Sequence, residues 1–159
     1  MHGYFYNPNI HPYTEWQKRQ LALLRYADEQ HLPVIVEEGY DLEDYLREVV
    51  YREAVRCRLC YGMRLRKAAK VARKGKFDAF TTTLLVSPFQ KHDLIKETGL
   101  AVAEETGIPF YYEDFRVGYP AATEISRSLG MYRQQYCGCI FSEKERFAQG
   151  EKKKNRASR

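Results

Sequence analysis

The sequence predicts an α/β protein, an open parallel sheet with helices on both faces. Two observations lead there. Short β-like runs alternate with helical stretches along the chain, the order in which parallel strands are joined by helical crossovers. The chain also has 159 residues, 44% hydrophobic and 30% charged, enough to bury a core without disulfide staples. The expected organisation is one α/β catalytic domain over residues 1–142, followed by a charged, disordered tail over residues 143–159. No internal repeat or second domain is visible.

Taken in order, His2 to Tyr6 is a short aromatic strand, ended by the turn Asn7-Pro8-Asn9. Thr14-Glu15-Trp16-Gln17 has the form of a capping box and predicts a helix start. Leu21, Leu24 and Ala27 recur at helical spacing until His31-Leu32-Pro33 stops the element. Val34-Ile35-Val36 is a compact strand, and Asp41 can cap a helix bearing Leu42, Tyr45, Leu46, Val49 and Val50. A third helix is expected from Cys57 to Gly75, then a Thr-rich strand from Phe77 to Val86. Leu94, Ile95, Thr98, Ala101 and Val102 form the inward stripe of a helix ending at Gly107. Ile108 to Tyr112 is a last strand, and Ala121 to Leu129 a helix closed by Gly130. Residues 131–142 have no clean period. In an open parallel sheet ligands sit outside the carboxyl ends of the strands, so Asn7, Ser87 and the loop after Tyr112 are expected at that edge.

Composition narrows the class. No stretch approaches the roughly 20 apolar residues of a membrane span, and the N-terminus lacks a basic-then-apolar signal pattern. The expectation is a cytoplasmic protein, in which four cysteines point to metal or redox chemistry more than to disulfides. The net charge of +5 is unevenly placed. Residues 151–159 carry five Lys or Arg against Glu151, which supplies +4 of it. Arg47 to Lys76 holds eleven Lys or Arg against Glu48 and Glu53, a local +9 around the first cysteine pair. An acidic stretch from Asp28 to Asp44 nearly offsets it, leaving a polarised surface of the kind that phosphate recognition uses.

The chemistry-bearing residues are the cysteines. Cys57-Arg-Leu-Cys60 is a C-x-x-C at the start of a helix, where the dipole favours thiolates. Cys137-Gly138-Cys139 is tighter, and its glycine lets both sulfurs turn the same way. Together they supply four sulfurs, the number a tetrahedral zinc or a four-iron cluster takes; spacing leaves both open. Around them stand polar groups suited to a rim. Asn7, Asn9 and His11 lie in a loop stiffened by two prolines, and Tyr61 and Arg64 sit one helical turn from the first pair. Thr81-Thr82-Thr83 offers hydroxyls, and Arg133 with Tyr132 and Tyr136 resembles a stacking-and-phosphate group for single-stranded RNA.

Four blocks in order carry a family resemblance: Tyr-Phe-Tyr-Asn-Pro-Asn-Ile-His-Pro (4–12), Arg-Cys-x-x-Cys-Tyr-x-x-Arg-Leu (56–65), Phe-Thr-Thr-Thr-Leu (80–84) with Ser87-Pro88, and Leu-x-Met-Tyr-Arg-Gln-x-Tyr-Cys-Gly-Cys-Ile-Phe-Ser (129–142). The chain resembles the epoxyqueuosine reductase family of the QueH type. The resemblance implies an adenine-nucleotide-hydrolase-like (HUP-type) α/β fold and a [4Fe-4S] cluster with a further iron beside it. It implies reduction of epoxyqueuosine to queuosine at the wobble position of tRNA. Carried over, Cys57, Cys60, Cys137 and Cys139 become metal ligands. The nucleoside is then expected near Asn7, His11, Tyr61, Arg64, Ser87 and Arg133, with no catalytic residue assigned. The sequence contains no flavin or nicotinamide motif, so an external donor would supply electrons. Family members usually open with a strand and a Cys-Cys-x-x-Cys segment ahead of the Tyr-Phe-Tyr-Asn block. This chain starts just before that block, so the resemblance implies a fold without its first strand, first helix and those cysteines. The same fold admits tRNA sulfur transfer or adenylation, and the cysteines alone admit a zinc-stabilised tRNA-binding module or, more weakly, a thiol–disulfide oxidoreductase.

Overall fold

The computed structural model describes residues 1–157, with side chains as far as Ala148. The chain forms two compact units, Met1–Glu43 with Tyr132–Arg159, and Asp44–Met131.

The first unit is built on a β-α-β motif. Strand β1 (Gly3–Phe5) runs into helix α1 (Tyr13–Glu29) and returns as β2 (Val34–Val36), parallel to β1 with Gly3 opposite Val34 and Phe5 opposite Val36. Extra bonds from Gly3 N–H to Pro33 O (2.8 Å) and from Glu37 N–H to Phe5 O (3.0 Å) extend the ladder at both ends. Helix α1 begins one residue before Thr14, on an extended Pro12, with no side-chain cap. The expected Thr14–Gln17 capping box is therefore not formed: proline ends the loop and already fixes the helical entry. Of the expected inward stripe only Ala27 is buried, since Leu21 is 59% and Leu24 37% exposed. The inward face is aromatic instead, with Trp16 packed edge-on to Phe5 (5.8 Å) and near Tyr13 and Tyr40. Helix α6 (Ile140–Ala157) runs through the segment expected to be a disordered tail; Ser158 and Arg159 lie outside the described residues.

Helix α2 (Leu42–Val49) leads into the second unit, whose core is the packing of α3 (Arg56–Lys74) on α4 (His92–Thr106). Leu65 and Ala69 of α3 meet Ile95 and Val102 of α4, with Leu85, Phe80 and Phe110 filling the space beside them. A fully buried Leu or Ile contributes about 1.5–3 kcal/mol, so this cluster is the main source of stability in the unit. Gly99 is required by the close approach, because a Cβ there would lie 2.2 Å from Phe110 Cε1.

The strands expected over residues 77–86 and 108–112 reduce to one parallel bridge between Phe80 and Phe110. Threonine chemistry explains the shortening. The Thr82 hydroxyl accepts the Leu84 N–H (3.3 Å) and starts a 3-10 turn over Thr83–Val86, while the Thr81 hydroxyl donates to Tyr111 O (2.7 Å). Side chains that take backbone partners compete with a ladder. The turn still delivers Leu85, fully buried, to the core. Helix α5 (Tyr119–Ser128) closes the unit and buries none of its residues. Among the described residues the protein is thus mixed α/β and mostly helical, with a two-stranded parallel sheet. That is compatible with an open α/β arrangement but far short of the expected sheet. No described helix is long and apolar enough to cross a membrane.

Candidate functional site

In the first unit the Cys137-Gly138-Cys139 loop is clamped from α1 and the loop before it. His11 N–H donates to Gly138 O (2.9 Å), Asn9 Nδ2 reaches Cys137 O (3.5 Å), and the Tyr136 hydroxyl donates to His11 O. The strongest hold is Arg19. Its guanidinium donates to Cys137 O (3.1 Å), Tyr136 O (3.0 Å) and Gln134 Oε1 (2.6 Å), and lies 5.4 Å from the centre of the Tyr136 ring. Glu15, one turn earlier, pairs with Arg19 at 2.7 Å and accepts the Tyr132 hydroxyl. Both side chains of the pair are nearly buried, at 9% and 11% exposure.

Gly138 makes the loop possible. Its φ is +113°, and a Cβ there would lie 2.7 Å from Ile10 Cγ1 and 3.2 Å from Arg19 Nη1. Only glycine adopts such a backbone cheaply while the neighbours stay this close. The turn brings Cys137 and Cys139 into hydrogen-bond contact. That bond, with burial, pushes the Cys137 thiol far up, against an opposing bond to Ser142. With no metal to stabilise its thiolate, Cys137 is therefore held as a thiol.

In the second unit Cys57 and Cys60 lie in the first two turns of α3, three residues apart and so on one helical face. Cys60 is buried and Cys57 half-buried, and no disulfide joins any of the four cysteines among the described residues. Iron–sulfur clusters take thiolate ligands, four for a [4Fe-4S] centre. The donor type fits, and each unit offers a paired set. Beside the second pair the buried Asn9 Oδ1 has no hydrogen-bond partner among the described residues, leaving a polar atom to be satisfied. Yet among those residues no group of three or more His, Cys, Asp or Glu is arranged to hold a metal ion. Each pair alone gives half a cluster's ligands.

The other residues expected at the site have varied surroundings. Asn7 is half-buried and lines a shallow notch with Phe5, Pro8, Trp16 and Glu37. His11 is 2% exposed; its Nδ1 lies 2.7 Å from the Tyr40 hydroxyl, and burial lowers its pKa to about 4, so it is a neutral imidazole near pH 7. In the second unit the buried Tyr61 hydroxyl donates to Gln90 Oε1 (2.9 Å) and accepts the Lys91 N–H (3.4 Å), and Ser87 Oγ accepts the Phe89 N–H (3.3 Å). Arg64 on α3 and Arg133 in the first unit are half-buried and make no ion pair among the described residues.

The positive stretch around α3 is partly neutralised. Arg58 grips Glu97 of α4 with two bonds (2.7 and 3.1 Å), and Arg66 bonds Glu105 (2.8 Å). Arg58, Glu97 and Arg66 line a groove of about 620 Å³ together with Leu59, Met63 and Ala101. Sequence reasoning missed Arg19 and Glu15 altogether. Their i, i+4 spacing was the available signal, and it is shared by many solvated helix pairs.

Comparison with known proteins settles the family. A family model described as epoxyqueuosine reductase QueH matches residues 1–145. The epoxyqueuosine reductase QueH of Dehalococcoides mccartyi is 41% identical over 144 residues, covering 91% of this chain and 79% of that protein. The Thermotoga maritima protein of the same name is 37% identical over 154 residues, covering 90% and 79%. That of Histophilus somni is 33% identical over 147 residues, covering 87% and 60%. Both cysteine pairs and the whole Arg19 clamp fall inside the matched span, and the chain belongs to the epoxyqueuosine reductase QueH family.

Proposed function

We propose that this protein reduces epoxyqueuosine to queuosine in tRNA, the last step of queuosine formation, with a [4Fe-4S] cluster and a further iron as its inorganic partners. The family match over residues 1–145, with both cysteine pairs inside it, carries the reading. The reaction takes two electrons and two protons; both C–O bonds of the epoxide break, an alkene forms and the oxygen leaves as water. When bound, the inorganic centre would supply electrons and Lewis acidity towards the epoxide oxygen.

The protein's own residues supply position. Cys57 and Cys60 are presented together by the first two turns of α3. Cys137 and Cys139 are presented by a glycine turn whose carbonyls Arg19 holds. We assign all four as ligands. Asn7, His11, Tyr61, Arg64, Ser87 and Arg133 are assigned to the nucleoside and its phosphates, Arg64 and Arg133 being cations not committed to carboxylates among the described residues. An external carrier delivers the electrons. Residues 1–142 act as one catalytic domain of the adenine-nucleotide-hydrolase-like type, in the cytoplasm, with residues 143–159 an appended charged segment.

Anaerobic purification with iron, sulfide and zinc analysis tests the reading. Iron and labile sulfide with brown absorbance are expected, and Cys57→Ser or Cys139→Ser removes both colour and reductase activity. A variant keeping both refutes that ligand assignment. Stoichiometric zinc without iron overturns the cluster.

A further inference from the structure

Tyr51 is 96% exposed, and its backbone φ is +62°. Among residues with side chains this left-handed conformation is uncommon, and for a bulky one it is a genuine outlier, costing on the order of 1 kcal/mol. The position is the one where a chain leaving a helix usually has glycine. Val50 N–H still bonds Leu46 O (2.9 Å) and Arg52 N–H bonds Val49 O (3.0 Å), closing the end of α2 around it. Tyr51 N–H is caught by Glu53 Oε1 (3.1 Å), and the Arg52 side chain donates to Arg47 O (3.0 Å). The backbone is thus firmly placed. The ring makes no hydrogen bond or ring contact among the described residues that would offset the cost of a tyrosine there.

Strain that packing does not explain points to function. The ring stands between two half-exposed apolar side chains in sequence, Val50 and Val55 (39% and 49% exposed). Arg47 precedes it by four residues and Arg52 follows it directly, each in an exposed ion pair, with Asp44 and Glu48 respectively. Such pairs are worth about 0–1 kcal/mol, so a phosphate competes for either arginine. Cys57 is six residues on, within about 20 Å at full extension and nearer through the 3-10 turn Glu53–Val55. An aromatic face beside arginines is the chemistry that holds unpaired nucleic-acid bases. A lone ring is too small an area for a stable protein interface.

We propose that Tyr51 is a stacking platform for an unpaired base of the RNA substrate, with Arg47 and Arg52 on the adjoining phosphates. This rests on the tRNA reading above and places a contact outside the residues assigned there. The test is binding of full-length protein to a labelled anticodon stem–loop and to a fully paired duplex of the same stem. Tyr51→Ala should weaken stem–loop binding about 5- to 100-fold and leave duplex binding unchanged, whereas Tyr51→Phe and Tyr51→Trp keep it. Tyr51→Gly should lose the same affinity while melting about 2–4 °C higher, because glycine accepts the left-handed backbone. Unchanged stem–loop affinity in Tyr51→Ala and Tyr51→Gly overturns the platform, as does an equal loss on stem–loop and duplex. A lower melting point for Tyr51→Gly overturns the strain argument beneath it. Failure of the unaltered protein to bind either RNA overturns the tRNA reading and the platform together.

Discussion

Replacing Arg19 by alanine should unfold the first unit well before the second. The guanidinium is 9% exposed and satisfies two backbone carbonyls, Tyr136 O and Cys137 O, besides Gln134 and Glu15. Breaking a buried ion pair by removing one partner costs about 3–5 kcal/mol, since the other charge stays buried. Here the Tyr132 hydroxyl still serves Glu15, so the lower half of that range, about 3–4 kcal/mol, is expected. Against a typical total of about 5–15 kcal/mol this is a large fraction. Trp16, the single tryptophan, lies one turn from Arg19 in a cluster with Phe5, Tyr13 and Tyr40. Its fluorescence in urea therefore reports this unit directly. Arg19→Lys keeps the charge without the planar fork and should lose about half as much. Glu15→Gln with Arg19→Met should cost at least about 1 kcal/mol less than the two changes summed, the mark of a coupled pair. A loss below about 1 kcal/mol for Arg19→Ala, or strict additivity in the cycle, refutes the clamp.

Gly138→Ala meets both a positive φ and a 2.7 Å approach to Ile10, and should destabilise by about 2–4 kcal/mol with the urea midpoint of Trp16 fluorescence lowered accordingly; an unchanged midpoint contradicts the turn geometry. His11 has a folded pKa of about 4 against 6.5 unfolded. Between those values the unfolded chain binds more protons, so stability is complete above about pH 6.5 and falls as pH drops towards 4. The loss should be about 1–2 kcal/mol by pH 4.5 once solvent screening is allowed for, and a His11→Gln variant should show a flatter profile over that window. Equal slopes for the two proteins count against the buried neutral imidazole.

The helices were legible in the sequence because their signals are local and redundant. Helix α4 announced itself through Leu94, Ile95, Thr98 and Val102 on one side, and the structure buries or half-buries each of them, with Ala101 the exception. Helix α3 stopped one residue before the glycine that predicted its end. The strand expected from Phe77 to Val86 failed for an equally local reason. Threonine is β-branched, and so favours strands, but it also has a hydroxyl that captures nearby backbone groups, and here the hydroxyl decided. Periodicity cannot weigh those two properties, because both belong to the same residue. Leu21 and Leu24 of α1 misled in the opposite way. Their spacing was helical, and the helix exists, but spacing does not say which face meets the core when aromatic residues such as Trp16 share the element.

The site divides along the same line. Cysteine pairs can be read from sequence because two sulfurs close in the chain must be close in space. Their supports cannot, since Arg19 is more than a hundred residues from the carbonyls it holds. What links them is loss of water: once the Cys137–Cys139 turn folds, its outward carbonyls need donors, and a buried carbonyl without one costs about 1–3 kcal/mol. An arginine can satisfy several at once only if a carboxylate keeps its charge tolerable in the interior, which is the role of Glu15. A tight cysteine turn near a helix bearing Glu-x-x-x-Arg is therefore a pattern to search for in other chains, with the prediction that the arginine serves the turn's carbonyls and not solvent.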